Sequence, residues 1–246
     1  MLRKVVHMAT TAVWLLAIIV AIGAARYFLK PVPLLVRPAA LALARHPVWL
    51  LLHIAGGVVA LLAGPFQFLA SLRASHPTVH RATGYGYLAA VLLGSIAGLR
   101  LAPDTAQLMM DSLDERRFFE FPLIRIAPSA LGLNGRSGYE PAQFLPVVLG
   151  FATLAICWFV TSGAAFLRAR QRRFSDHRAW MMRSYSLTFA AVTVRLVALP
   201  LLVLTRNPVV AMTLTFWSWV LNLIAAEWLV RHKPQSTVLR AAAGSV

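Results

Sequence analysis

Long apolar runs, separated by short polar stretches rich in arginine, recur along the whole chain. A helix that crosses a bilayer needs about 20 mostly apolar residues. The runs predict six such helices: Met8 to Leu29, Pro47 to Ala70, Ala82 to Leu101, Phe144 to Leu167, Trp180 to Leu204 and Val209 to Val230. They take up most of the 246 residues, so residues 1–246 read as a single integral-membrane domain. The expected fold class is all-α, a polytopic transmembrane helix bundle of six spans without a separate soluble core. The long connection from 102 to 143 is acidic and aromatic; Phe118, Phe119, Phe121, Leu123 and Ile124 around Arg116 and Arg117 predict a segment that lies on the membrane surface or caps the bundle. The first run, after Met1-Leu2-Arg3-Lys4 and with Ala24-Ala25 near its end, has the outline of a signal peptide. Its apolar character continues through Tyr27, Phe28 and Leu29, which favours a retained helix.

Residues three and four apart share a helical face, and the runs carry stripes at that spacing. The second reads His53, Gly57, Ala60, Gly64, Gln67; the third His80, Gly84, Tyr87, Val91, Gly94, Gly98. The fifth reads His177, Met181, Ser184, Thr188, Ala191, Arg195, and the sixth Ala211, Thr215, Ser218, Asn222. Small and polar residues on one stripe are what close helix packing in lipid requires. These faces are expected to turn inward.

Composition agrees with lipid as the solvent: mean hydropathy is +0.69, with 59% hydrophobic and 13% charged residues, against about 25% charged in soluble domains. The formal charge of +16 is explained by arginines and lysines beside the spans, drawn to anionic lipid by roughly 1 kcal/mol each. The expected partner is the bilayer, and no nucleic acid. Between runs four and five, Arg168, Arg170, Arg172, Arg173, Arg178 and Arg183 face a single acid, Asp176. The excess of positive charge on cytoplasmic loops places this stretch, and with six spans both termini, in the cytoplasm of a bacterial inner (plasma) membrane. Lys30, Arg37 and Arg45 in the first outer stretch run against that pattern. The single cysteine, Cys157, excludes an intramolecular disulfide. No nucleophile elbow, phosphate loop or His-Glu-x-x-His helix is present, so soluble-type catalysis lacks a centre.

Ionisable side chains at membrane depth are costly and tend to face a cavity, a partner or a cofactor. His53 and Arg195 lie at similar depths from the same end of the bundle, and with Gln67 and Asn222 would line the pocket of a small-solute carrier or channel. Glu227, near the other end, is expected to form a structural ion pair with Arg183. His80-Arg81 and His177-Arg178 each stand where a run begins, which presents two imidazoles at one depth. Three readings stay open for them: anchoring to headgroups, a metal site or proton relay drawing on His76, His80, Asp176 and His177, and a b-type haem. In the last, His80 and His177 are axial ligands and Arg81, Arg178 or Arg183 pair with the propionates. The protein would then serve an unidentified small-molecule or redox partner. A structural membrane protein with no catalytic site is the remaining alternative.

The segments Gly64-Pro65-Phe66-Gln67-Phe68, His80-Arg81-Ala82-Thr83-Gly84-Tyr85-Gly86-Tyr87, His177-Arg178-Ala179-Trp180-Met181-Met182-Arg183-Ser184-Tyr185, Ala190-Ala191-Val192-Thr193-Val194-Arg195 and Asn222-Leu223-Ile224-Ala225-Ala226-Glu227 carry a resemblance. From about Leu51 to Val230 the chain resembles the bacterial predicted-membrane-protein family catalogued as domain of unknown function 2306. The resemblance implies a multi-span architecture and marks His80, His177, Arg183, Arg195 and Glu227 as motif positions, without supplying an activity. The 102–143 connection is longer than that family's usual one. The layout is also similar to b561-type membrane cytochromes, which ligate haem from facing helices. His53 has no histidine partner in the fourth run, so this chain would support one haem at most.

Overall fold

The computed structural model describes residues 2–29, 42–113, 119–121, 124–126 and 139–232. Its helices are α1 (Leu2–Leu29), α2 (Pro47–Ala63), α3 (Ala70–Ser75), α4 (Pro77–Leu101), α5 (Thr105–Leu113), α6 (Leu145–Arg170), α7 (Phe174–Thr188), α8 (Ala190–Thr205), α9 (Pro208–Trp217) and α10 (Trp219–Arg231). Among the described residues, five helical stretches are long and apolar enough to cross a membrane: Pro47–Phe68, Pro77–Asp111, Pro141–Arg170, Phe174–Thr205 and Pro208–Arg231. A shorter apolar stretch, Thr11–Ala24, lies within α1. The protein is an all-α bundle whose outer surface is apolar, with Leu92, Ile96, Phe159, Val160, Leu221 and Ile224 all exposed.

Local chemistry sets the helix ends. Pro47, Pro77 and Pro208 open α2, α4 and α9, where the missing N–H has no helical partner to lose. Asn207 caps α9, its side-chain oxygen accepting from the N–H groups of Val209 and Val210 at 2.9 and 3.1 Å. The turn between α6 and α7 needs only residues 171–173, with Arg172 left-handed at φ 59°.

Three expectations change. The fifth and sixth runs are each two helices, broken at Phe189 and Ser218. Just before or at each break a hydroxyl bonds back to its own helix: Thr188 Oγ1 to the Ser184 carbonyl at 3.1 Å, Ser218 Oγ to that of Thr215 at 2.7 Å. Such bonds compete with the regular ladder. The third run begins at Pro77 rather than Ala82, which draws His80 and Arg81 into the first turns of α4. The 102–143 connection carries regular structure: α5 buries Leu108, Met109 and Met110, and Phe119–Phe121 (β1) pairs antiparallel with Ile124–Ile126 (β2). The surface placement expected for Phe118, Phe119, Phe121, Leu123, Ile124, Arg116 and Arg117 concerns side chains outside the described residues. The basic residues at this end meet the connection's acids, Arg45 bonding Asp111 at 2.5 Å and both His46 and Arg100 reaching Asp104, at 3.0 and 3.1 Å.

The tightest crossing joins α2 and α4. A Cβ on Gly56 would lie 2.5 Å from the Ala90 carbonyl oxygen and 2.9 Å from Gly94 Cα, so two backbones touch there as small residues permit. Gly94 also faces the Trp158 ring of α6, which an added Cβ would approach to 3.0 Å. Around this crossing Ala60, Tyr87, Val91, Trp158, Met181 and Leu187 form the central core.

Candidate functional site

Among the described residues, two of the cavities inside the bundle lie one above the other. Along α6, Phe151, Leu154, Ala155 and Trp158 line the first, and Ser162, Phe166, Ala169 and Arg170 line the second. Along α7, which runs back, the order reverses: Phe174, His177 and Met181 line the second, Leu187 and Thr188 the first.

The second cavity holds about 580 Å³, within the range of roughly 300–1,000 Å³ typical of ligand sites. His80 reaches it from α4 and His177 from the first turn of α7; Arg73, Arg81, Arg170 and Arg178 line it as well. The His177 Nδ1 lies 2.8 Å from the Ala165 carbonyl oxygen. A carbonyl can only accept, so Nδ1 carries a proton, and in the neutral ring the lone pair is on Nε2. The His80 Nδ1 is buried with no hydrogen-bond partner among the described residues, which costs about 1–3 kcal/mol when nothing compensates. Gln67 lies in this wall, donating from Nε2 to Thr83 Oγ1 at 2.8 Å. Gly84 leaves room for it, since a Cβ there would come within 3.1 Å of Gln67 Oε1.

Arg183 does not line this cavity. Its Nε and Nη2 donate to Glu227 Oε2 at 2.8 and 2.7 Å, Arg231 donates to Oε1 at 2.8 Å, and the guanidinium lies 4.8 Å over the Trp180 ring. The expected propionate role of Arg183 is therefore taken up by carboxylate pairing. The mixed set of His76, His80, Asp176 and His177 is not assembled: no group of three or more metal-ligating side chains converges among the described residues, and Asp176 pairs with Arg173 at 2.6 Å.

The first cavity, about 330 Å³, has His53 and Arg195 in otherwise mostly apolar walls that include Ile54, Val58, Val194 and Phe216. His53 donates from Nδ1 to the Gly94 carbonyl at 2.9 Å and meets Phe151 edge-on with centroids 5.4 Å apart. Arg195 donates to the Ala191 carbonyl at 2.6 Å. The other two members of the expected pocket are elsewhere. Gln67 belongs to the second cavity, and Asn222 is held by packing, donating to the Ser186 carbonyl at 3.3 Å while its Oδ1 accepts from Thr193 at 3.0 Å.

Between the cavities runs a buried row of hydroxyls. Ser162 Oγ lies 2.6 Å from Ser184 Oγ, Ser184 Oγ 2.7 Å from Tyr87 Oη, and Tyr87 Oη 2.9 Å from Thr188 Oγ1. Trp158 Nε1 donates to Thr188 Oγ1 at 2.8 Å. Sequence reasoning had placed Tyr87, Ser184 and Thr188 on inward stripes but missed Trp158 and Ser162. The helical spacing of Ala155, Trp158, Ser162 and Ala165 was the available signal.

Inward polar groups, an apolar exterior and helices of spanning length define a polytopic integral membrane protein. The chain belongs to the family described as "Predicted membrane protein (DUF2306)", which matches residues 50–121 and 137–230. The gap in the match falls inside the long connection, and every cavity histidine lies within the matched parts. No curated protein and no solved structure matches the chain, so the likeness to b561-type cytochromes gains no support.

Proposed function

We propose that the protein binds one b-type haem in the cavity of His80 and His177 and acts as a membrane redox protein. The observation that carries this reading is that two histidines from different helices line one cavity whose walls also hold four arginines. His177 fits a ligand role because its Nδ1 hydrogen bond fixes the tautomer and the ring, as outer-shell partners do for metal-bound imidazoles. The uncompensated His80 Nδ1 suits a side chain whose surroundings are completed by a bound group. Arg81 and Arg178 would pair with the propionates, and Phe166, Tyr85 and Met181 would cover an apolar macrocycle. When bound, haem supplies one-electron chemistry. On this reading the arginine-rich end and both termini face the cytoplasm of a bacterial inner membrane.

The test is an absorption spectrum, oxidised and dithionite-reduced, of detergent-purified protein expressed with haem precursor. A Soret band that shifts on reduction and is lost in both His80→Ala and His177→Ala is expected. A flat wild-type spectrum, or a band retained in both variants, overturns the reading.

A second reading, small-solute binding, is supported by the meeting of His53 and Arg195 in one cavity. Replacing Arg195 by Leu should then abolish solute binding or flux while membrane insertion is kept; unchanged flux would remove this alternative.

A further inference from the structure

The buried hydroxyl row can be followed hydrogen by hydrogen. Each of Ser162, Ser184, Tyr87 and Thr188 has one proton to donate, and the Trp158 indole always donates to Thr188. In one arrangement Thr188 donates to Tyr87, Tyr87 to Ser184, Ser184 to Ser162, and Ser162 to the Trp158 carbonyl at 2.8 Å. In the reverse arrangement Ser162 donates to Ser184, Ser184 to Tyr87, Tyr87 to Thr188, and Thr188 to the Ser184 carbonyl at 3.1 Å. Every donor is satisfied either way. The row has two complete polarities built on the same heavy atoms.

We infer that this row is a proton path joining the two cavities. Its ends support the assignment, since Thr188 lines the cavity of His53 and Arg195, and Ser162 and Tyr87 line that of His80 and His177. A proton taken up at Thr188 Oγ1 releases the Thr188 proton to Tyr87, and the handover repeats through Ser184 to Ser162, which gives up its own proton to the other cavity. One O–H bond breaks and one forms at each oxygen, no charge stays behind, and the row is left in its reverse polarity. Both cavities exceed the roughly 15 Å³ needed to hold a water, so water or the cavity histidines can deliver and collect the proton. The four side chains are almost fully buried, Ser184 at 0% and Thr188 at 4% exposure, so no bypass through bulk solvent competes. Hydrogen bonds between spans also hold helices together, but that role needs neither two equivalent polarities nor ends on separate cavities.

The test uses the full chain in proteoliposomes with a trapped pH dye, an imposed pH gradient and a potassium-valinomycin clamp. Protein-containing vesicles are expected to lose the gradient faster than protein-free ones. Tyr87→Phe, which removes the central hydroxyl, should slow this about a hundredfold, the scale of a lost proton-transfer group. Ser95→Ala removes a buried hydroxyl of α4 that belongs neither to the row nor to either cavity wall and should retain the wild-type rate. If Tyr87→Phe fails gel filtration, Ser162→Ala at the end of the row replaces it with the same expected loss. The inference is overturned if wild-type vesicles are no faster than empty ones, if the hydroxyl variants conduct like wild type, or if Ser95→Ala is as slow as Tyr87→Phe. The assay requires no haem, and a spectrum of the same samples reads the haem proposal separately.

Discussion

Glu227 accepts from Arg183 of α7 and from Arg231 of its own helix. Removing Glu227 leaves the mostly buried Arg183 uncompensated, whereas removing both does not; without Arg183 the carboxylate still has Arg231. The double replacement Arg183→Leu with Glu227→Leu should therefore melt closer to wild type than Glu227→Leu alone in a detergent thermal-shift assay. Strict additivity of the single effects would show that the two groups do not couple. This meeting was legible in the sequence because two ionisable residues at equal depth have few other ways to avoid lipid. The roles of Ser162 and Trp158 were not: a serine in an apolar run reads as one more small packing residue until α4, α6 and α7 supply its partners. Likewise Arg183 carried the same sequence signal as Arg81 and Arg178, and only the turn of α7 towards α10 separates their tasks.

Helix periodicity placed the inward faces of α4 and α7 because a stripe of small and polar residues has one stable home in lipid. Neighbouring glycines are harder to sort. Gly57 stood on the stripe, yet Gly56 makes the close crossing, while a Cβ on Gly57 meets nothing within 4 Å. Gly56→Ala should accordingly cost about 1–3 kcal/mol by overpacking against α4, and Gly57→Ala should be nearly neutral; denaturant titration of the two variants in detergent would decide. Equal stability would place the α2–α4 contact elsewhere. The breaks at Phe189 and Ser218 left no mark in hydropathy, since apolar residues continue through both.

For the molecule as a whole, the all-α class and five of the six expected spans followed from run length and composition, and the two cavities did not, because a cavity is a property of how several helices tilt against one another. Arg45 confused the charge pattern for a related reason: its partner Asp111 lies 66 residues away. If the arginine-rich end is cytoplasmic, Gln171→Cys in a Cys157→Ser background should react with a membrane-impermeant maleimide only after cells are permeabilised. Tyr139→Cys should react in intact cells. The opposite labelling would invert the bundle. The short turn at Arg172 bears on how that topology is made. The first three turns of α7 carry Ser175, Asp176, His177, Arg178, Arg183 and Ser184, a segment too polar to enter lipid alone. Joined by three residues to the apolar α6, it lies back along that helix, with His177 bonded to the Ala165 carbonyl and Ser184 to Ser162, so α6 supplies the polar partners that lipid does not.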